Sequence, residues 1–300
     1  TRTPVGFSLQ RVGTGCGKAS FGFAPPSLST KGERNSGQTV TCRSERQDPC
    51  VKPAKYANCT RIEEVQGNGA ISSPLVGSTV TLCPAFVTAV VYNGYYVQHS
   101  EGLCDSASSG VFVYTNSAES AVEGSYIEVT GTVSENNRQT TITPTLSSTT
   151  LNAGSETPPS HVVLTPPLQS FELEAREGML VSIESPPGFS MVTSEYYNLG
   201  RFGVFTVCNA PDADGRIFQY TNANLPDATG YNAFVEQLSQ NCFMVDDNDG
   251  TSNPGQVLAG GAFEILDSAG FRGGNQVSPL RGPLYQSYRD NYYKIYTLDS

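Results

Sequence analysis

The sequence predicts an all-β protein, and three observations predict it. Short runs of β-branched and aromatic residues recur from Arg61 onward, separated by Gly, Pro, Asn and Ser. Some of these runs alternate apolar and polar residues, as in Tyr126-Ile-Glu-Val-Thr-Gly-Thr-Val133, which is the period of a half-buried strand. Charged residues make up 15% of the chain, against about 25% in an average domain, so long solvated helices are disfavoured.

The elements follow in chain order. The 300 residues are enough for about two domains. Residues 1–60 hold four cysteines, many Gly and Ser, and little periodicity, and read as a loop-rich segment stapled by disulfides. Residues 61–145 hold strands at Gly77–Cys83, Tyr95–Gln98, Gly110–Tyr114, Tyr126–Val133 and Thr140–Thr143. Phe86–Tyr92 is the longest apolar run and is also strand-sized. Five short strands of this kind suit a small Greek-key barrel of the OB type. Residues 146–170 are rich in Pro, Ser and Thr and read as a connection. Residues 171–300 hold a second set, at Met179–Ile183, Phe189–Thr193, Phe202–Val207, Cys242–Asp246, Leu280–Leu284 and Tyr292–Tyr296, with one short helix at Ala233–Leu238.

A faint repeat links the two sets. Val129-Thr-Gly-Thr-Val133 followed by Thr140-Thr-Ile142 resembles Leu280-Arg-Gly-Pro-Leu284 followed by Tyr292-Tyr-Lys-Ile295. A glycine inside a strand permits the sharp bend a small barrel requires. The expected architecture is therefore two OB-like barrels behind a disulfide-stapled N-terminal segment.

The eight cysteines are Cys16, Cys42, Cys50, Cys59, Cys83, Cys104, Cys208 and Cys242. No two have the C-x-x-C spacing of zinc ribbons or thioredoxin-like sites. A disulfide framework in an oxidising compartment is the better reading. Local clustering pairs Cys83 with Cys104 and Cys208 with Cys242, leaving two bonds among the first four. The chain starts at Thr1, without a signal-peptide core, as expected of a processed chain or a fragment. Asn58-Cys-Thr60 is the one glycosylation sequon. No apolar run approaches the roughly 18 residues of a membrane-spanning helix. The expected location is extracellular, secreted or at the cell surface.

Several blocks, read together, carry a resemblance. They include Ile62-Glu-Glu-Val-Gln-Gly-Asn-Gly69, Ser73-Pro-Leu-Val-Gly-Ser-Thr-Val80, Gly94-Tyr-Tyr-Val-Gln98 and Ser109-Gly-Val-Phe-Val-Tyr114. The second half adds Glu177-Gly-Met-Leu-Val181, Asn198-Leu-Gly-Arg-Phe-Gly203, Asp246-Asp247 and Phe271-Arg-Gly-Gly274. This series resembles the non-catalytic, OB-like β region of large secreted bacterial endonucleases. The resemblance covers about Arg61 to Tyr296. It implies that catalysis belongs to a DNase-I-like endonuclease/exonuclease/phosphatase domain beyond residue 300. That chemistry uses paired His and Asp groups with acidic metal ligands. His99 and His161 have no such neighbours in sequence, so no catalytic residue and no cofactor is expected here.

Asp246, Asp247 and Asp249 form the densest acidic cluster, a conceivable metal site, but a solvated turn is the preferred reading. Asp212-Ala-Asp-Gly215 reads the same way. Tyr92, Tyr95, Tyr96, Phe112 and Tyr114 have the composition of a base-stacking face, with barrel core preferred. Tyr285, Tyr288, Tyr292 and Tyr293 with Arg281 and Arg289 form a candidate protein interface, since Tyr and Arg favour such surfaces. Arg201 and Arg272 are expected to pair with acidic neighbours. Phosphate-loop, dinucleotide, serine-hydrolase and zincin motifs are missing from the sequence.

The net charge of −10 opposes unaided binding of nucleic acid, which uses a Lys/Arg footprint. Two functions remain. One is a non-catalytic accessory or targeting region of an extracellular nuclease-like protein. The other is a structural, self-assembling extracellular β protein. Expected partners are other copies of the chain or a following domain.

Overall fold

The computed structural model describes residues 7–15, 22–28, 38–40, 52–67, 72–102, 104–116, 121–212, 215–248, 250–253, 258–259, 263–264, 272–277, 280–286 and 293–296. Two compact units emerge, Thr1–Cys50 and Val51–Ser300. The chain is mostly β, with two large sheets and few helices.

The first unit holds β1 (Phe7–Gly15), β2 (Gly22–Leu28) and β3 (Gln38–Val40) in one sheet of order β2-β1-β3. Three strands therefore lie within the segment read as loop-rich. Pro25 and Pro26 hid β2, because proline cannot donate to a ladder. The β1–β2 register shifts between Ser8 and Gln10, opposite those prolines, so the ladder makes room for them.

In the second unit, α1 (Ile62–Gln66) precedes β4 (Thr79–Thr81), β5 (Ala85–Val91), β6 (Gly94–Gln98) and β7 (Gly110–Tyr114). Next come β8 (Tyr126–Glu128), β9 (Thr130–Asn136), β10 (Gln139–Pro144) and β11 (Thr149–Thr150). The sheet order is β11-β8-β5-β6-β7-β10-β9-β4. Strands β5, β6 and β7 form an antiparallel meander, whereas β7 and β10 pair in parallel. The pair β4 and β5 runs against β8 and β9, and Leu82 N–H donates to Val129 O at 2.8 Å where the two ladders meet.

The second sheet is built from β12 (Val162–Leu164), β13 (Leu180–Ile183), β14 (Phe189–Glu195), β15 (Val204–Pro211) and β16 (Cys242–Asp246). A small pair, β17 (Leu258–Ala259) and β18 (Phe263–Glu264), precedes β19 (Leu280–Gln286) and β20 (Tyr293–Tyr296). Helices α2 (Ser170–Glu174), α3 (Leu199–Phe202) and α4 (Ala228–Asn241) lie between strands. The order is β12-β13-β19-β20-β16-β15-β14.

The two sheets repeat one scheme. Gly131 of β9 faces Val80 of β4, and Gly282 of β19 faces Val181 of β13. Ile142 faces Val113 across the parallel pair of the first sheet, and Ile295 faces Val245 in the second. Each sheet opens on a parallel contact, Thr60 with Leu82 and Leu164 with Ile183. Each first helix is closed by a glutamate accepting from the backbone three residues earlier, Glu64 from Arg61 and Glu172 from Gln169. Gly77 (φ 83°) and Gly178 (φ 76°) then turn the chain into the first strand, a conformation glycine adopts without strain.

Val87, Tyr95, Val97, Val111, Val133 and Ile142 fill the first core, and Val181, Ile183, Val207, Phe243, Leu284 and Ile295 the second. All of β6 is buried. Its outer face joins Ala89, Val91, Tyr96 and Phe112 in a third cluster, against which Tyr285 packs.

The disulfides are Cys59–Cys83 and Cys208–Cys242. The second matches the expected local pairing, because the two cysteines face each other across β15 and β16. The first corrects both the Cys83–Cys104 expectation and the two bonds placed among the first four cysteines. The Thr60–Leu82 bridge sets Cys59 beside Cys83, a contact that sequence spacing does not reveal. Cys104 is also disulfide-bonded. Cys16, Cys42 and Cys50 lie outside the described residues.

Candidate functional site

Arg61, Glu63 and His99 form a buried cluster that sequence reasoning missed, since 36 residues separate Glu63 from His99. The first turn of α1 carries Glu63 back toward Arg61, whose Nε and Nη2 donate to the carboxylate at 3.2 and 2.9 Å. Arg61 Nη2 also donates to Glu101 O at 2.8 Å. His99, just past β6, sets Nδ1 3.2 Å from Glu63 Oε2 and Nε2 3.4 Å from Cys83 O. Each of the three residues is at most 3% exposed. Burial alone would raise the Glu63 carboxyl, but the His99 hydrogen bond and the His99 and Arg61 charges bring it down to about 2. Burial pushes the His99 imidazole down, against the pull of Glu63. A Glu–His pair can orient a general base. Here the second ring nitrogen meets a backbone carbonyl, so the pair pins α1 to the sheet.

A second cluster lies where the two sheets meet. Glu177, in the turn between α2 and β13, is 1% exposed. Its carbonyl accepts from Ser108 Oγ and from Gln66 Nε2. Thr140 N–H donates to its Oε2 at 3.4 Å, and Thr140 Oγ1 donates to Glu135 Oε1 at 2.9 Å. Glu174 Oε2 accepts from Tyr293 Oη at 2.8 Å. Burial, then the Glu174 charge, raises the Glu177 carboxyl well above the usual carboxylate range. Burial also raises Glu174, against the Tyr293 hydrogen bond.

The acidic loop is tied down by its neighbours. Asp246 Oδ2 lies 3.5 Å from Lys294 Nζ and accepts from Tyr285 Oη at 3.2 Å, and its Oδ1 accepts from Asn248 N–H. Burial raises its carboxyl, against Lys294. The Asp247 carboxylate fills the space a side chain on Gly203 would need. Asn248 docks on β5, accepting from Tyr92 N–H at 3.0 Å and donating to Val90 O at 3.2 Å. Asp249 lies outside the described residues, and among those described no three acidic, His or Cys side chains gather as a metal site.

Of the expected tyrosine–arginine patch, Tyr293 is buried and Tyr285 half-buried, both turned toward internal carboxylates. Arg281 is exposed, and Tyr288, Tyr292 and Arg289 lie outside the described residues. Tyr95, Tyr96 and Phe112 are core, so they offer no stacking face. Arg201 lies over the Phe202 ring, and His161 and Asn58 are exposed. Near α3, Glu195, Tyr197, Asn198, Thr206 and Met244 line a shallow crevice whose rim residue Tyr197 is 88% exposed.

Comparison of the chain with protein-family models, curated proteins and solved structures found no match. The likeness to the β region of secreted endonucleases rests on the sequence blocks alone.

Proposed function

We propose that residues 51–300 are two OB-like Greek-key barrels joined as a non-catalytic scaffold, an accessory or targeting region of an extracellular nuclease-like protein. The strand order carries this reading. In each sheet the third meander strand pairs in parallel with a later strand (β7 with β10, β16 with β20), which pairs with its predecessor (β9, β19), which returns to the strand before the meander (β4, β13). That connectivity is the one expected of a five-stranded OB barrel. The disulfides favour an oxidising compartment outside the cell. The Glu63–His99 pair, sealed beneath α1, has its hydrogen bonds directed inward.

The test incubates the purified full chain with DNA and RNA in Mg²⁺ or Mn²⁺. The expected result is no cleavage. Metal-dependent cleavage abolished by His161→Ala or His99→Gln contradicts the reading.

One observation favours the structural, self-assembling alternative. Helix α4 buries none of its residues, and Tyr231 on it and Leu225 before it are 52% and 87% exposed. Contiguous exposed apolar groups favour association, and these two side chains are the candidates for such a patch. Concentration-dependent oligomers in sedimentation, lost in Leu225→Ser/Tyr231→Ser, would support this alternative over a monomeric accessory region.

A further inference from the structure

We propose that Glu177 is a proton-operated latch between the two sheets of residues 51–300, holding them together when its carboxyl is neutral and loosening them when it ionises. The main chain around Glu177 is where the sheets are fastened. Its carbonyl takes the Ser108 hydroxyl, and Gln66 Nε2 bridges it to Gly110 O, donating to the latter at 2.7 Å. Leu180 N–H donates to Gln98 Oε1 at 2.9 Å, and Arg176 Nη1 to Asp105 O at 2.8 Å. Gly110 and Gly178 approach so closely that neither has room for a side chain.

The Glu177 carboxyl is set inside this seam. Thr140, through its N–H to Oε2 and through its hydroxyl, favours the ionised form, but Oε1 is buried with no hydrogen-bond partner among the described residues. An orphaned carboxylate oxygen is far more costly to bury than a neutral carboxyl. The facing groups make ionisation harder still. Glu135 comes from β9 and Glu174 from α2, both acting to raise Glu177. Tyr293 of β20 is committed to Glu174. Arg138, on the β9–β10 turn, is exposed and acts on Tyr293. Two carboxylates therefore face Glu177, and no cation is paired with it among the described residues.

The sign follows from proton counts. Between the ordinary glutamate value and its own raised value, Glu177 is protonated in the folded chain and ionised in the unfolded one. The folded chain holds the extra proton, so stability falls as pH rises across that window and levels off above it.

The test measures urea unfolding of the full, disulfide-intact chain from pH 5 to 9, beside Glu177→Gln. Glutamine keeps an acceptor for Thr140 and cannot ionise. The wild-type unfolding constant should rise with pH relative to the variant, by up to roughly tenfold per pH unit while the group titrates. The infrared carboxylic-acid band of the wild type should persist at pH 7 and weaken at higher pH. Glu174→Gln, which removes a facing charge, should move that loss to lower pH. If Glu177→Gln fails to fold, the infrared titration of the wild type and of Glu174→Gln decides. Identical pH profiles for wild type and Glu177→Gln, or a fully ionised set of carboxyls at pH 7, overturn the proposal.

Discussion

Glu63 shows what a buried charge requires of its neighbours. Arg61 and His99 both lean on it, and none of the three reaches solvent. Removing one partner of a buried pair leaves the other uncompensated, so Glu63→Ala should cost about 3–5 kcal/mol in urea unfolding. The pH dependence runs opposite to that of Glu177. The folded Glu63 carboxyl sits at about 2, below its unfolded value, so its contribution is complete above the ordinary glutamate range. It is lost as pH falls from there through about 2. Acid unfolding of Glu63→Gln should lack this component. Replacing Cys59 and Cys83 by serine frees a crosslink of sequence separation 24 and should cost about 3 kcal/mol, read in the same experiment. None of these partnerships is legible in the sequence. Glu63 lies in a polar helical turn and Glu177 in Arg-Glu-Gly, where a solvated side chain is the natural reading. Burial at both positions comes from distant strands, and local pattern carries no record of it.

At the scale of elements, the strands of residues 61–300 are legible wherever β-branched runs meet turn residues. Gly110–Tyr114, Phe189–Thr193 and Cys242–Asp246 fall within β7, β14 and β16. Phe202 is a miss, since it closes α3 and β15 starts only at Val204. Gly203 (φ 66°) ends that helix, a break hidden inside an apolar run. The glycine-centred repeat was visible at Gly131 and Gly282, whereas the matching helices and opening contacts were not, because their residues differ. Helix α4 is longer than the apolar run Ala233–Leu238 because Asp227 caps it, accepting from Gly230 N–H at 2.5 Å. Gly110 tests the seam at this scale. A methyl there would press on the Gly178 backbone, which cannot yield as a side chain does. Gly110→Ala should therefore cost about 1–3 kcal/mol, with faster amide exchange at Leu180 and Thr140 than in the wild type. Gly124→Ala, in open space but at φ 79°, should destabilise without opening the seam.

For the whole molecule, charge and contact act on different scales. Nine of the chain's 18 Lys and Arg lie within residues 1–55, so the remainder is more acidic than the average. If copies associate, the basic segment of one should meet the acidic surface of another. Raising salt from about 0.05 to 0.5 M should then shift sedimentation toward the monomer, since screening shortens with ionic strength. Within residues 51–300 two like sheets form one compact unit, fastened by Glu177, Gln66, Ser108 and the Asn248 loop. Native-state hydrogen exchange on the full chain at neutral pH tests this most directly. Amides of Val97 and Val113 in the first core and Val207 and Ile295 in the second should open with the same free energy and the same denaturant dependence. One core opening several kcal/mol below the other, with its own smaller denaturant dependence, would contradict it and make the two sheets independent domains.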